Sequence, residues 1–245
     1  MDESERFRQE VRANVAGLMS DADVQALSRI WVREITRHKY AYNFTWMGRP
    51  LIQFPQDMVA LQEIVWRVKP DVIVETGIAH GGSLVYSASL LALLGGDRFV
   101  VGVDVDIRAH NRREIEAHPM AARIRMIEGS SVDDAVAAAV RDHCRGKESV
   151  LVILDSHHTH AHVLRELQLY GPLVTRGSYL IVLDTLIEDM PAEFFEGRPW
   201  GKGNNPKTAV HEFLAATKRF EIDAAIPAQL LLTTAPDGYL RCIGE

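Results

Sequence analysis

The chain has 245 residues, 47% of them hydrophobic and 24% charged, with a formal charge of −6. This balance fits one ordinary globular domain with a small appendage. With no basic stripe to neutralise phosphates, it excludes a general nucleic-acid binder. The only cysteines, Cys144 and Cys242, are too few for a disulfide framework or a thiolate metal site. No apolar run approaches a membrane span, and the charged run after Met1 does not read as a secretory signal, so a cytoplasmic setting is expected.

Residues 1–45 read as helical and partly amphipathic, with Val11, Val15, Leu18, Val24, Leu27, Ile30 and Trp31 spaced for one face. The segment from Phe44 to Pro55 reads as a loop rich in large apolar groups. A helix follows from Asp57 to Val68 and stops at Lys69-Pro70. These signals divide the chain into an N-terminal helical or lid segment, 1–56, and a main domain, 57–245.

From Asp71 onward strands and helices alternate. Strands are expected at Val72–Glu75, Phe99–Asp104, Ile124–Ile127, Ser149–Asp155 and Ser178–Asp184. Helices are expected near Gly82–Leu94, Arg108–Ala117 and Val132–His143, after the Ser149–Asp155 strand to about Tyr170, and from near Pro206. Continuous apolar strands such as Val150-Leu-Val-Ile-Leu154 imply a parallel sheet covered on both faces. Gln229–Ile243 reads as a hairpin turning at Pro236-Asp237-Gly238. The predicted fold is therefore an α/β, doubly wound, mostly parallel sheet with a terminal antiparallel hairpin and an N-terminal helical extension. Ligands in such sheets sit beyond the carboxyl ends of the strands. Glu75, Asp104, Asp155 and Asp184 each end a predicted strand, so four carboxylates would line one rim.

Two constellations carry the chemistry. The first is Glu75-Thr76-Gly77 with His80-Gly81-Gly82-Ser83, paired with Asp104. A glycine-rich turn between strand and helix lets backbone approach a ligand closely, and the helix start offers free N–H groups. An acid at the second strand's end, Asp104 or in its place Asp106, can accept from both ribose hydroxyls, so a nucleoside ligand is expected. The Gly-x-Gly-x-x-Gly fingerprint and the P-loop lysine are both absent.

The second is Asp155-Ser-His157-His158-Thr-His160-Ala-His162. Asp155 suits a hard divalent cation, and either His157 or His158 could be a general base. His158 and His162, read as i and i+4 on one helix with Glu166 a turn further, offer a rival zinc site and hence a zinc-dependent hydrolase. The loop Trp200-Gly-Lys-Gly-Asn-Asn-Pro-Lys207 reads as a mobile lid, and Trp46-Met47-Gly48-Arg49 as an opposite wall.

From Trp46-Met-Gly48 through Val74-Glu-Thr-Gly-Ile-Ala-His-Gly-Gly-Ser-Leu84, Gly102-Val-Asp-Val-Asp106 and Leu154-Asp-Ser-His-His-Thr-His160, the chain resembles the cephalosporin hydroxylase / rhamnosyl O-methyltransferase family over roughly residues 40–240. That resemblance implies a Rossmann-like class I methyltransferase fold and an S-adenosylmethionine-dependent O-methyltransferase. The acceptor would be a hydroxyl of a sugar or glycosylated natural product, with assistance from Mg2+. It implies that Glu75 and Gly77 approach the methionine end of the cofactor, that Asp104 holds its ribose, and that Gly129-Ser130-Ser131 lie by the adenine. It also implies Asp155 and Asp184 as metal ligands and His158 as base. Relatives usually carry two adjacent acids after the fifth strand, whereas here Leu183-Asp184-Thr185 supplies one, with Thr185, Asp189 or water as stand-ins. A non-catalytic accessory protein that kept the fold is the remaining alternative. The apolar N-terminal segment suggests a homo-oligomer.

Overall fold

Short apolar runs give this chain the middle of its central sheet. In the computed structural model, which describes residues 2–244, the sheet is built from β3 (Val72–Thr76), β4 (Phe99–Asp104), β5 (Ile124–Glu128), β6 (Val150–Leu154), β7 (Tyr179–Val182), β8 (Phe220–Ile222) and β9 (Tyr239–Cys242). Their order across the sheet is β5-β4-β3-β6-β7-β9-β8. The β5, β4, β3, β6 and β7 strands are parallel, and β9 pairs antiparallel with both β7 and β8. Chain order reverses between β3 and β6, which puts a crevice at their carboxyl ends.

Alternation along the strands feeds two cores. Val72, Val74, Val101, Val152 and Val182 pack with Val140 of α6 (Asp134–Cys144), Leu167 of α7 (His160–Tyr170) and Val210 of α8 (Pro206–Ala216). On the other face Ile73, Val100, Leu151 and Ile181 pack with Ile64 of α3 (Pro55–Val68) and Leu84 and Leu91 of α4 (Gly82–Leu94). The α4 helix is apolar nearly all round because it is buried nearly all round. The α8 helix starts where the sequence signals it should: Asn205 caps Lys207 and Thr208, and Pro206 takes the first position. A short α5 (Ala109–Glu116) follows β4.

The N-terminal region forms α1 (Glu3–Ser20) and α2 (Ala22–Arg37), which bury little: none of α1 is buried, and only Val32 of α2. The 44–55 segment differs from the expected loop. It folds as an antiparallel ribbon, β1 (Phe44–Trp46) against β2 (Arg49–Leu51), turning through Met47 and Gly48 in left-handed conformations. This ribbon packs on α4: Trp46 Nε1 donates to Ser89 Oγ at 3.0 Å, and its ring meets Tyr86 edge-on.

The terminal hairpin also differs in its partner. Tyr239–Cys242 is the second strand as expected, but the first is Phe220–Ile222, and the segment read as the first strand, from Gln229, begins in the end of α9 (Ala225–Leu230) and forms no strand before Tyr239. Ala225, Ala228, Gln229 and Leu230 are good helix formers, and tertiary packing of Ile226 and Ala228 settles the competition. The Pro236-Asp237-Gly238 turn itself forms, with Gly238 N donating to Ala235 O at 2.9 Å. Among the described residues no helix is long and apolar enough to cross a membrane.

Candidate functional site

The β3 strand runs out at Glu75-Thr76, and the chain then turns through Gly77 and Ala79, both at positive φ, before α4 begins. Only glycine fits at Gly77: a Cβ there would lie 2.0 Å from the Asp155 carbonyl oxygen. Gly82 is equally confined, a Cβ meeting the Pro50 carbonyl at 2.1 Å. The turn is therefore wedged between the tip of β6 and the β1–β2 ribbon.

Asp104 grips the turn from the neighbouring strand end. One carboxylate oxygen accepts from Ile78 N at 2.8 Å and Ala79 N at 3.2 Å, and the other from Asp106 N at 3.1 Å. A carboxylate offers about four acceptor positions, so Asp104 retains limited capacity for a ribose. Its main work here is to hold the turn, while Asp106 is exposed two residues on. Arg49 completes the clamp from the other side. Its guanidinium donates twice to His80 O, at 3.0 and 2.6 Å, and to Asn111 Oδ1, while Asn111 Nδ2 donates to Ala79 O. Neither Arg49 nor Asn111 stood out in the sequence as a turn-holding residue, because nothing local ties a ribbon residue to a carbonyl thirty-one positions later.

Glu75 is 1% exposed. Ser83 donates to one of its oxygens, while Oε2 has no partner, and neither does the neighbouring Thr76 Oγ1. Burial pushes the Glu75 carboxyl up to about 7, the Ser83 hydroxyl opposing the rise. A small cavity of about 40 Å³ lies alongside, lined by Gly77, His80, Gly82, Ser83, Asp155 and Gln53 among others. A buried carboxylate oxygen with no donor is open to a hydrogen bond from a cationic or N–H group.

On the other side of Gly77 lie Asp155, His158 and Asp184. Donor atoms of all three lie within 4.8 Å of one another, and His158 Nε2 is 3.2 Å from Asp184 Oδ2. Desolvation, then the charges of Asp184 and Glu75, push the Asp155 carboxyl up, so a cation would relieve this site. Two carboxylates and an imidazole suit a divalent metal ion.

The remaining histidines separate from this group. The α7 helix begins at His160, so His158 precedes it, and the expected i, i+4 pair with His162 does not form. His162 Nε2 instead meets Ser131 Oγ at 3.0 Å and Ser156 Oγ at 3.1 Å, with fully buried Glu166 behind them. His160 fastens α7 to the 204–212 region through Asn204, Thr208 and Glu212. The zinc arrangement read from the sequence is thus taken apart by geometry.

His157 bonds Thr159 Oγ1 at 3.1 Å, and burial, with His162 and His158 nearby, holds its pKa below the usual histidine value. Both His157 and His158 face the Trp200 ring edge-on, at centroid distances of 5.3 and 4.8 Å. Trp200 thus sits over the histidine pair. Ser130 and Ser131 follow β5, with Ser131 buried and its carbonyl accepting from Tyr170 OH. A second cavity of about 840 Å³ opens farther along the rim, bounded by Val32, Leu186, Asp189, Met190, Lys202 and Asp237 among others.

Another buried carboxylate went unread in the sequence. Asp57 accepts from Thr233 Oγ1, Thr234 N and Oγ1, and Tyr239 OH, joining α3 to the segment before β9.

Comparison with known proteins is consistent with this geometry. Residues 38–243 match the model of the family described as rhamnosyl O-methyltransferase/CmcI. A rhamnosyl O-methyltransferase of Mycobacterium bovis is 32% identical over 218 residues, covering 83% of this chain and 82% of its own. A counterpart in Mycobacterium leprae is 32% identical over 163 residues, 63% of this chain and 68% of its own. Among solved structures, CmcI with magnesium and S-adenosylmethionine aligns at TM-score 0.55 and 22% identity, over 83% of this chain and 78% of that one. An O-methyltransferase from Bacillus cereus with S-adenosylhomocysteine aligns at TM-score 0.52 and 16% identity, over 85% and 86%. At such identities the structural likeness establishes the fold.

Proposed function

Since this chain belongs to the rhamnosyl O-methyltransferase/CmcI family, we propose that it is an S-adenosylmethionine-dependent O-methyltransferase acting on a hydroxyl of a sugar or a glycosylated natural product. One observation supports this most: the Gly77 turn beside the half-partnered Glu75 carboxylate abuts the strand tip that carries Asp155 of the Asp155–His158–Asp184 cluster. A methyl-donor half and an acceptor half would then share one wall.

S-adenosylmethionine, when bound, supplies an electrophilic methyl on a sulfonium. The task left to the protein is to align an acceptor oxygen behind that methyl and exclude water. Glu75, whose buried Oε2 has no donor, would approach the ammonium of the donor's methionine portion. Asp104, Arg49 and Asn111 fix the turn that the donor would rest on, Asp104 or Asp106 would meet its ribose, and Ser130 and Ser131 would lie toward its adenine. Asp155 and Asp184 would hold a divalent cation such as Mg2+, which lowers the pKa of a hydroxyl it touches. His158 or His157 would take the proton released by the acceptor, and Trp200 would cover the pair. The 840 Å³ cavity is of a size to take a saccharide. We further propose association with a second copy through Leu27, Ile30 and Trp31, exposed on one face of α2.

Calorimetric titration with S-adenosylmethionine and S-adenosylhomocysteine tests the reading: binding of both is expected, and the absence of binding would overturn it. Transfer of labelled methyl to a panel of rhamnosyl glycosides then tests the acceptor class.

A further inference from the structure

We propose that His158 is itself a ligand of the divalent cation, completing a set of two carboxylates and one imidazole that favours later first-row ions such as Co2+ over Mg2+. The inference rests on the cation part of the proposed function and decides between two roles for one side chain. Its ground is the fate of the side chains that flank Asp184 along the chain. Leu183 is buried in the core. Thr185 is fully buried, and its hydroxyl donates to Pro236 O at 2.5 Å. Asp189 is paired with Lys207 at 2.8 Å, and Glu188 accepts from Gly203 N at 2.7 Å. Thr185, Asp189 and Glu188 are thus each engaged with other partners, which leaves His158 and water as the remaining donors.

His158 Nε2 is the third donor atom within 4.8 Å of both aspartates, in the one such group among the described residues. Its ring meets Trp200 edge-on at 4.8 Å, and its Nε2 lies 3.2 Å from Asp184 Oδ2, beside the carboxylates. An imidazole nitrogen changes the preference of the site. Mg2+ demands hard oxygen donors in near-ideal octahedral geometry, whereas nitrogen-containing sets suit first-row transition ions. A ligated Nε2 cannot accept the proton of the acceptor hydroxyl, and that role in the pair then falls to His157.

Pulsed electron paramagnetic resonance on the full-length protein loaded with Mn2+ reads the ligand directly. The expected spectrum carries the nitrogen modulation of a directly bound imidazole, lost in His158→Gln and kept in His162→Gln. Calorimetry should give Co2+ at least roughly tenfold tighter binding than Mg2+, with His158→Asp narrowing the ratio severalfold. Bound Mn2+ without nitrogen modulation, modulation surviving in His158→Gln, or no Mn2+ binding would each overturn the assignment. The wild-type spectrum decides alone should a variant fail to fold. Donor binding by the chelator-treated protein is measured separately. Retained donor binding with a negative cation result overturns this inference and leaves the methyl-transfer reading standing.

Discussion

Replacing Glu75 by Gln turns a buried ionisable group into a neutral one and so exposes what that group costs the fold. The Glu75 carboxyl is raised by burial from an ordinary 4.5 to about 7. The folded protein therefore holds this proton more tightly than the unfolded chain does. Below about pH 4.5 both states are protonated and Glu75 carries no penalty. Between 4.5 and about 7 only the folded state retains the proton, so stability falls as pH rises through this window and levels off above it. At roughly 1.4 kcal/mol for each tenfold change in proton affinity, the loss amounts to about 3 kcal/mol. Gln has no such dependence. Urea unfolding of wild type and Glu75→Gln at a series of pH values should show the variant gaining on wild type by about 3 kcal/mol from pH 4.5 to 8, or ~1 M in midpoint at a large m-value. The constant offset from burying the amide cancels in this comparison. A pH-independent gap would refute burial as the cause of the raised pKa.

Three further outcomes are expected. Gly77→Ala forces a Cβ to within 2.0 Å of the Asp155 carbonyl at a φ of +91°, so it should cost about 2–4 kcal/mol in chemical denaturation and weaken donor and cation binding together. Asp104→Ala removes the acceptor of the Ile78 and Ala79 amides and should lower S-adenosylmethionine affinity by roughly tenfold or more in calorimetry, with unchanged affinity counting against its role. Trp200→Ala uncovers His157 and His158 and should raise the acceptor KM severalfold in steady-state assays while leaving donor affinity nearly constant; a change confined to donor affinity would remove the lid assignment.

The strand ends were legible because two signals coincide there. An apolar run long enough for a buried strand stops at a single acid, and Glu75, Asp104 and Asp155 each lie within one residue of the end of a strand. Asp184 lies two residues past β7, in a left-handed conformation, which the run of apolar residues did not reveal. The turn glycines were legible because few other residues fit there. Tertiary choices were not. The His158–His162 spacing assumed a helix starting two residues too early, and no pattern marks where an N-terminus forms when its first cap is a side chain 44 residues away, Asn204. The 225–230 segment mixes helix formers with β-branched and apolar residues, so burial of Ile226 and Ala228 decided its fate. Arg49 and Asp57 act only through partners far along the chain, to which local sequence is blind.

The contact between Gly77 and the Asp155 carbonyl has a thermodynamic meaning as well as a steric one. The turn and the β6 tip share a boundary with no slack, and Asp155 N is tied to Thr76 O at 2.9 Å across it. A ligand that shifts one tip must shift the other, so occupancy on either side carries a free-energy message. Such coupling is reciprocal: whatever factor the donor imposes on cation affinity, the cation imposes on donor affinity. Two adjacent binding events then behave as one linked equilibrium, and the order of loading leaves the final state unchanged.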